Sequence, residues 1–128
     1  MTHYRCLTNN PLLLLERGVD RVEFHPVSVP ELFALTQAEV KQGYKLLSHP
    51  LTGSIRPDIT PYKSILLSDR PSGPDPEGEE VLARAIRYTD ALFQMSEQPP
   101  SARWDSKTRE DFQYVDRSLI QTALERAF

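Results

Sequence analysis

The densest run of chemistry-bearing side chains is Ser48-His49-Pro50-Leu51-Thr52-Gly53-Ser54-Ile55-Arg56-Pro57-Asp58-Ile59-Thr60-Pro61-Tyr62-Lys63. A histidine titrates near neutrality, so His49 is suited to act as acid, base or ligand, or to serve as a hydrogen-bonded loop residue. Arg56 and Lys63 are cations of the kind that hold a carboxylate or phosphate, unless Asp58 or a carboxylate on the last helix pairs with them. The prolines stiffen the run and lower the entropy lost on ordering it, which favours a preorganised site. A second polar stretch, Thr8-Asn9-Asn10-Pro11, leads into a helix whose first backbone N–H groups would suit an anion. The plainer role for Asn10 is to cap that helix. Together the two stretches give Thr8, Asn9, Asn10, Ser48, His49, Thr52, Gly53, Ser54, Arg56, Tyr62 and Lys63 as candidate ligand-binding residues.

Several known chemistries are not spelled out. Neither a Walker phosphate loop nor a dinucleotide GxGxxG fingerprint is present. Thr52-Gly53-Ser54-Ile55-Arg56 supplies only the first half of a hydrolase Gly-x-Ser-x-Gly elbow, so Ser48 and Ser54 are poor nucleophile candidates. His3, His25 and His49 show no HxH or HxxxH spacing, and the lone Cys6 permits neither a disulfide nor a cysteine-rich zinc site. No metal or cofactor is therefore expected. Cys6 falls within an apparent strand, where a thiol behaves as a small buried hydrophobe. With a formal net charge of −3 and interspersed signs, the chain lacks the dense cationic face that nucleic acid requires.

The elements that must position these residues follow from periodicity. Tyr4–Leu7 is a short strand, Asn10-Pro11 opens a short helix closed by Gly18, and Arg21–Phe24 alternates as a second strand. Ser28-Val29-Pro30-Glu31 is a capping-box pattern. After it Val29, Leu32, Phe33, Thr36 and Val40 share one helical face, with Gly43 as the stop. Tyr44–Ser48 and Ser64–Ser68 are the third and fourth strands, with a proline-punctuated loop from His49 to Pro61 and a surface linker from Asp69 to Glu77. Val81, Leu82, Ala85, Ile86, Thr89, Leu92 and Phe93 form a helical stripe. After Pro99-Pro100 another stripe runs through Phe112, Val115, Leu119 and Ala123, with Trp104 as a core plug before it. The expectation is a single α/β domain over residues 1–128, with a mostly parallel sheet of about four strands covered by three to five helices. The last strand pair has the alternative of an antiparallel hairpin. Asp116 falls inside the apolar sector of the final helix, where a carboxylate needs partners, so it is expected to anchor the Ser48–Lys63 loop. The apolar run Leu12–Leu15 is far too short to span a membrane and no signal-peptide pattern occurs, so the cytoplasm is the expected location.

Thr8-Asn9-Asn10-Pro11, Lys45-Leu46-Leu47-Ser48-His49-Pro50-Leu51-Thr52-Gly53-Ser54, Thr60-Pro61-Tyr62-Lys63-Ser64, and Asp111-Phe112-Gln113 with Asp116 and Ser118-Leu119-Ile120 together resemble the GrdX family. That resemblance implies a neighbourhood among glycine, sarcosine and betaine reductase systems of amino-acid fermentation, and it carries no assigned activity or set of functional residues. Two functions follow as expectations. One is a non-catalytic accessory factor that binds a reductase component or a small anionic metabolite, with an apolar patch near Leu51, Ile55, Ile59 and Tyr62. The other is a small enzyme on a carboxylate or phosphate metabolite. There His49 would be the acid or base and Arg56 and Lys63 the anion holders, converging on one pocket beside Thr8–Asn10. A homodimer is one explanation of the long His49–Pro61 loop.

Overall fold

A computed structural model describes residues 3–15, 18–53, 56–96 and 99–127. In chain order the elements are β1 (Tyr4–Thr8), α1 (Leu12–Leu15), β2 (Val22–Phe24), α2 (Val29–Lys41), β3 (Ser64–Ser68), α3 (Pro76–Met95), α4 (Pro100–Arg103) and α5 (Ser106–Ala127). The strands form one sheet in the order β2-β1-β3. β1 and β2 are parallel, joined across α1, whereas β3 runs antiparallel to β1 with Leu7 opposite Ile65.

This corrects the expected mostly parallel sheet of about four strands: the sheet is mixed and three-stranded among the described residues. The segment Tyr44–Ser48, expected as a strand, lies antiparallel beside β3 but makes only one isolated bridge, Leu46 to Leu67. The reason lies in its backbone donors. The Lys45 N–H goes to the Ser68 hydroxyl and, from β3, the Leu66 N–H goes to the Ser48 hydroxyl. That leaves the Leu47 N–H on the Leu66 carbonyl and the Ser68 N–H on the Lys45 carbonyl as the backbone bonds. The Leu46 N–H points away from β3, to Asp75 Oδ2. Side chains have taken the places a regular ladder would fill. The hairpin alternative gives the right direction for this pair.

Period-two alternation in β1 and β3 sorts the core into two layers. Tyr4, Cys6 and Leu66 face Leu13 of α1 and Ile120 of α5. Leu7, Ile65 and Leu67 face the opposite way, against Leu32, Phe33 and Val40 of α2 and Leu82 and Ala85 of α3. Burying each such aliphatic side chain contributes about 1.5–3 kcal/mol. α2 begins where expected: Ser28 caps it by accepting the Glu31 N–H, and the Glu31 carboxylate accepts the Ser28 hydroxyl. It ends at Lys41 with Gln42 as the cap, and Gly43 follows with a φ of +107° that suits the residue after a helix cap. Among the described residues no helix is long and apolar enough to cross a membrane.

Asp75 has two tasks, capping α3 through the Gly78 N–H at 3.0 Å and holding the Leu46 N–H at 3.0 Å. Asp75→Ala removes both, and should lower unfolding free energy by about 1–3 kcal/mol in urea titration. An unchanged midpoint would show that neither the cap nor the Leu46 bond contributes to stability.

Candidate functional site

The carboxyl end of β1 delivers Thr8, Asn9 and Asn10 into the protein, where all three are buried. Asn9 clamps the loop that follows residue 60. Its side-chain N–H₂ donates to the carbonyls of Val27 and Pro61, and its Oδ1 accepts the Lys63 N–H, each at 2.9 Å. Asn10 caps α1 by accepting the Leu12 N–H at 3.0 Å, and its amide donates to the Gln113 carbonyl and to Asp116 Oδ2. Both of its expected roles were plausible from the sequence. The geometry gives it the cap and a tie to α5.

Asp116 is the centre of this cluster. Its Oδ2 accepts the Ser64 hydroxyl at 2.6 Å and the Asn10 amide at 3.0 Å. Ser64 Oγ lies 2.7 Å from Thr8 Oγ1, which in turn accepts the Asn10 N–H. Burial raises the Asp116 carboxyl above the ordinary aspartate range, while the hydrogen bonds from Ser64 and Asn10 and the nearby Lys63 pull the other way. Lys63 is itself buried, which lowers its ammonium, with Asp116 opposing that shift; its Nζ reaches the Thr52 carbonyl at 3.5 Å. Burial also pushes up the Cys6 thiol, with Asp116 and Glu23 adding to the effect, so it is no ready nucleophile. Among the described residues every buried polar side-chain atom has a hydrogen-bond partner.

The proline loop is likewise committed to internal contacts. Arg56 forms two hydrogen bonds to Asp58, at 2.9 and 2.6 Å, and this pairing holds the Asp58 carboxyl below its usual range. Asp58 is buried and is also approached by Ser96 at 3.4 Å. Ser48 donates no support to a nucleophile; its hydroxyl accepts the Leu66 N–H. The exposed His49 accepts the Leu51 N–H on Nδ1, and Thr52 donates its hydroxyl to the His49 carbonyl. Gly53 turns with φ +91° against Leu119, and Tyr62 receives a hydrogen bond from Gln113 on its hydroxyl. Ser54 and Ile55 lie outside the described residues. Trp104 is half-buried, its indole N–H on the Ile59 carbonyl and its ring 5.6 Å from Phe112.

Thr8, Asn9, Asn10, Lys63 and Asp116 thus come together, with Ser64 as a member that sequence reasoning missed. Its place at the head of the Ser64–Ser68 strand, directly after Lys63, was the available signal. His49 stands apart, in a cleft of about 250 Å³ against Thr122, Ala123 and Arg126 near the end of α5. Neither Arg56 nor Lys63 is among the described residues that line that cleft. Among the described residues no group of three or more metal-ligating side chains gathers.

Larger concavities lie elsewhere. One of about 850 Å³ separates α1 from the start of α5, lined by Leu12, Leu15, Tyr62, Arg109, Gln113 and Tyr114 among others. Another of about 460 Å³ opens beyond the carboxyl ends of the parallel strands, where Phe24, Val27, Pro61, Tyr62 and Phe93 meet. The model of the GrdX-like protein family matches residues 5–125, which spans both strand ends, the proline loop and α5. The chain belongs to the GrdX-like family. No curated protein and no solved structure gives a match. The stretches that carried the resemblance include the inward-facing Thr8–Asn10 and Asp116 of this GrdX-like chain, so that part of the motif is a folding device as well as a signature.

The Asp116 environment has a pH consequence. A carboxyl raised on folding binds its proton more tightly in the native state, so its contribution is full below the ordinary aspartate value. That contribution is lost as pH rises through the raised value. Stability measured against pH should fall across that window, and the fall should be shallower in Asp116→Asn. Asp116→Ala, which strands Ser64 and Asn10, should cost about 1–3 kcal/mol. Identical pH slopes in wild type and Asp116→Asn would place the titration elsewhere.

Proposed function

We propose that this GrdX-like protein is a non-catalytic accessory factor of a glycine, sarcosine or betaine reductase system, and that it works by binding a protein component of that system. The observation that carries the reading is the α1–α5 cleft, where Leu15 is 82% exposed and Tyr114 45% exposed at the edge of about 850 Å³. Large apolar side chains left in water beside a concavity mark surfaces that a partner covers. Leu14, 56% exposed, extends the apolar character of α1 beyond the cleft. The polar rim of Arg109, Glu110 and Gln113 offers both charges and an amide for orienting hydrogen bonds.

Of the patch expected near Leu51, Ile55, Ile59 and Tyr62, Ile55 lies outside the described residues, Leu51 packs against the Val29–Phe33 core, and Ile59 and Tyr62 are half-buried. A small anionic metabolite finds less support than a protein, because Arg56 is held by Asp58 and Lys63 is buried beside Asp116. The reductase connection itself rests on family membership.

Purified reductase components, tested one at a time by biolayer interferometry against the immobilised protein, provide the test. One component should bind, and Leu15→Asp and Tyr114→Asp should each weaken it by roughly tenfold or more while leaving thermal stability close to wild type. Binding by no component, or binding indifferent to both substitutions, would sink this reading.

A further inference from the structure

From the second cavity we infer a small-ligand site selective for cationic amines with an apolar or aromatic body. At about 460 Å³ it falls within the range of about 300–1,000 Å³ typical of ligand pockets. Its position is the one α/β topology favours. β1 is joined through α1 to β2 on one side, and β3 lies on its other side, so the chain changes direction around the carboxyl end of β1. Asn9 at that end and Phe24 at the end of β2 both line the cavity.

The lining sets the ligand chemistry. Phe24, Val27, Tyr62 and Phe93 supply an apolar wall, and aromatic faces attract ammonium groups. Among the described lining residues, Glu31 is the one with a charged side chain, and it is exposed on the first turn of α2. The N-terminus of α2 would otherwise invite an anion, but that capacity is spent. Ser28 already accepts the Glu31 N–H, Pro30 has no N–H, and the Glu31 carboxylate adds a negative charge there. Asn9 is saturated by Val27, Pro61 and Lys63, so it shapes the floor without competing for the ligand. A carboxylate or phosphate would meet repulsion with no cation among the described lining residues to offset it, whereas an amine would find the Glu31 carboxylate.

The site is separate from the α1–α5 cleft in its charge and mouth, and Tyr62 forms part of the wall of both. The test uses two probes of matched size, phenethylammonium and 3-phenylpropionate, titrated into ¹⁵N-labelled protein. The ammonium probe should bind more tightly by about fivefold or more, with amide shifts concentrated at Val27, Val29 and Glu31. Glu31→Gln should bring the two affinities together, and Glu31→Lys should reverse the preference; the exposed side chain makes both variants compatible with folding. Equal affinities in the wild type, a preference for the carboxylate, shifts centred on other residues, or no binding of either probe at about 10 mM would each overturn the assignment. Because Leu15 and Tyr114 are untouched, loss of this site would leave partner binding at the α1–α5 cleft to stand or fall separately.

Discussion

One buried carboxylate ties together segments from both ends of the chain. An unpaired charge at Asp116 would cost several kcal/mol, so the fold is obliged to bring donors to it. Those donors come from two places far apart in sequence, Ser64 at the start of β3 and Asn10 beyond β1. Satisfying the carboxylate therefore fixes α5 against the sheet and the sheet against the β1–α1 turn. Thr8 completes the arrangement by bridging Ser64 and the Asn10 backbone, and Asn9 then pins the proline loop through Pro61 and Lys63. A single polar requirement in an apolar layer thus sets the relation of four segments.

That arrangement has a functional cost and a functional return. The side chains of Thr8, Asn9, Asn10, Ser64 and Asp116 are buried and hydrogen-bonded to one another or to backbone, and Arg56 is paired with Asp58. What the network returns is a rigid frame around two open concavities on either side of Tyr62. The position of Tyr62 is itself held by the hydrogen bond from Gln113, one turn from Asp116 on α5. Any change in how α5 sits would be felt at both cavities through this residue. The chemistry of the surface is consequently apolar and acidic on one side and mixed on the other, quite unlike the cationic loop that the string of residues advertises.

Much of the architecture was legible in particular residues. Ser28 and Glu31 announced the start of α2 because a hydroxyl and a carboxylate at that spacing can satisfy each other's backbone. Ser64–Ser68 was legible as a strand, and the Val29–Val40 face as a core stripe, because burial enforces their periods. Asp116 was conspicuous for the same reason inverted, a carboxylate where periodicity demanded an apolar side chain. Tyr44–Ser48 was misleading: its composition is that of a strand, yet the Ser68 and Ser48 hydroxyls take the Lys45 and Leu66 N–H groups that a longer ladder would use. The exposed Leu14 and Leu15 were equally illegible, since a run of leucines reads as core until neighbours are known to leave it uncovered.

By itself the sequence determined the family through its motifs. Through short-range periodicity, capping chemistry and the cost of burying charge it also determined most of the helices and strands, the faces they bury and the need for partners at Asp116. Only the tertiary structure decided the direction of β3, the internal use of the polar motif, and the location of the open cavities. Those depend on which side chain meets which backbone group across long stretches of chain, as when Asn10 reaches Asp116 or Asp75 reaches Leu46. A hydrogen bond that a residue makes inside the protein is one it no longer offers outside, and that allocation is settled by packing in three dimensions.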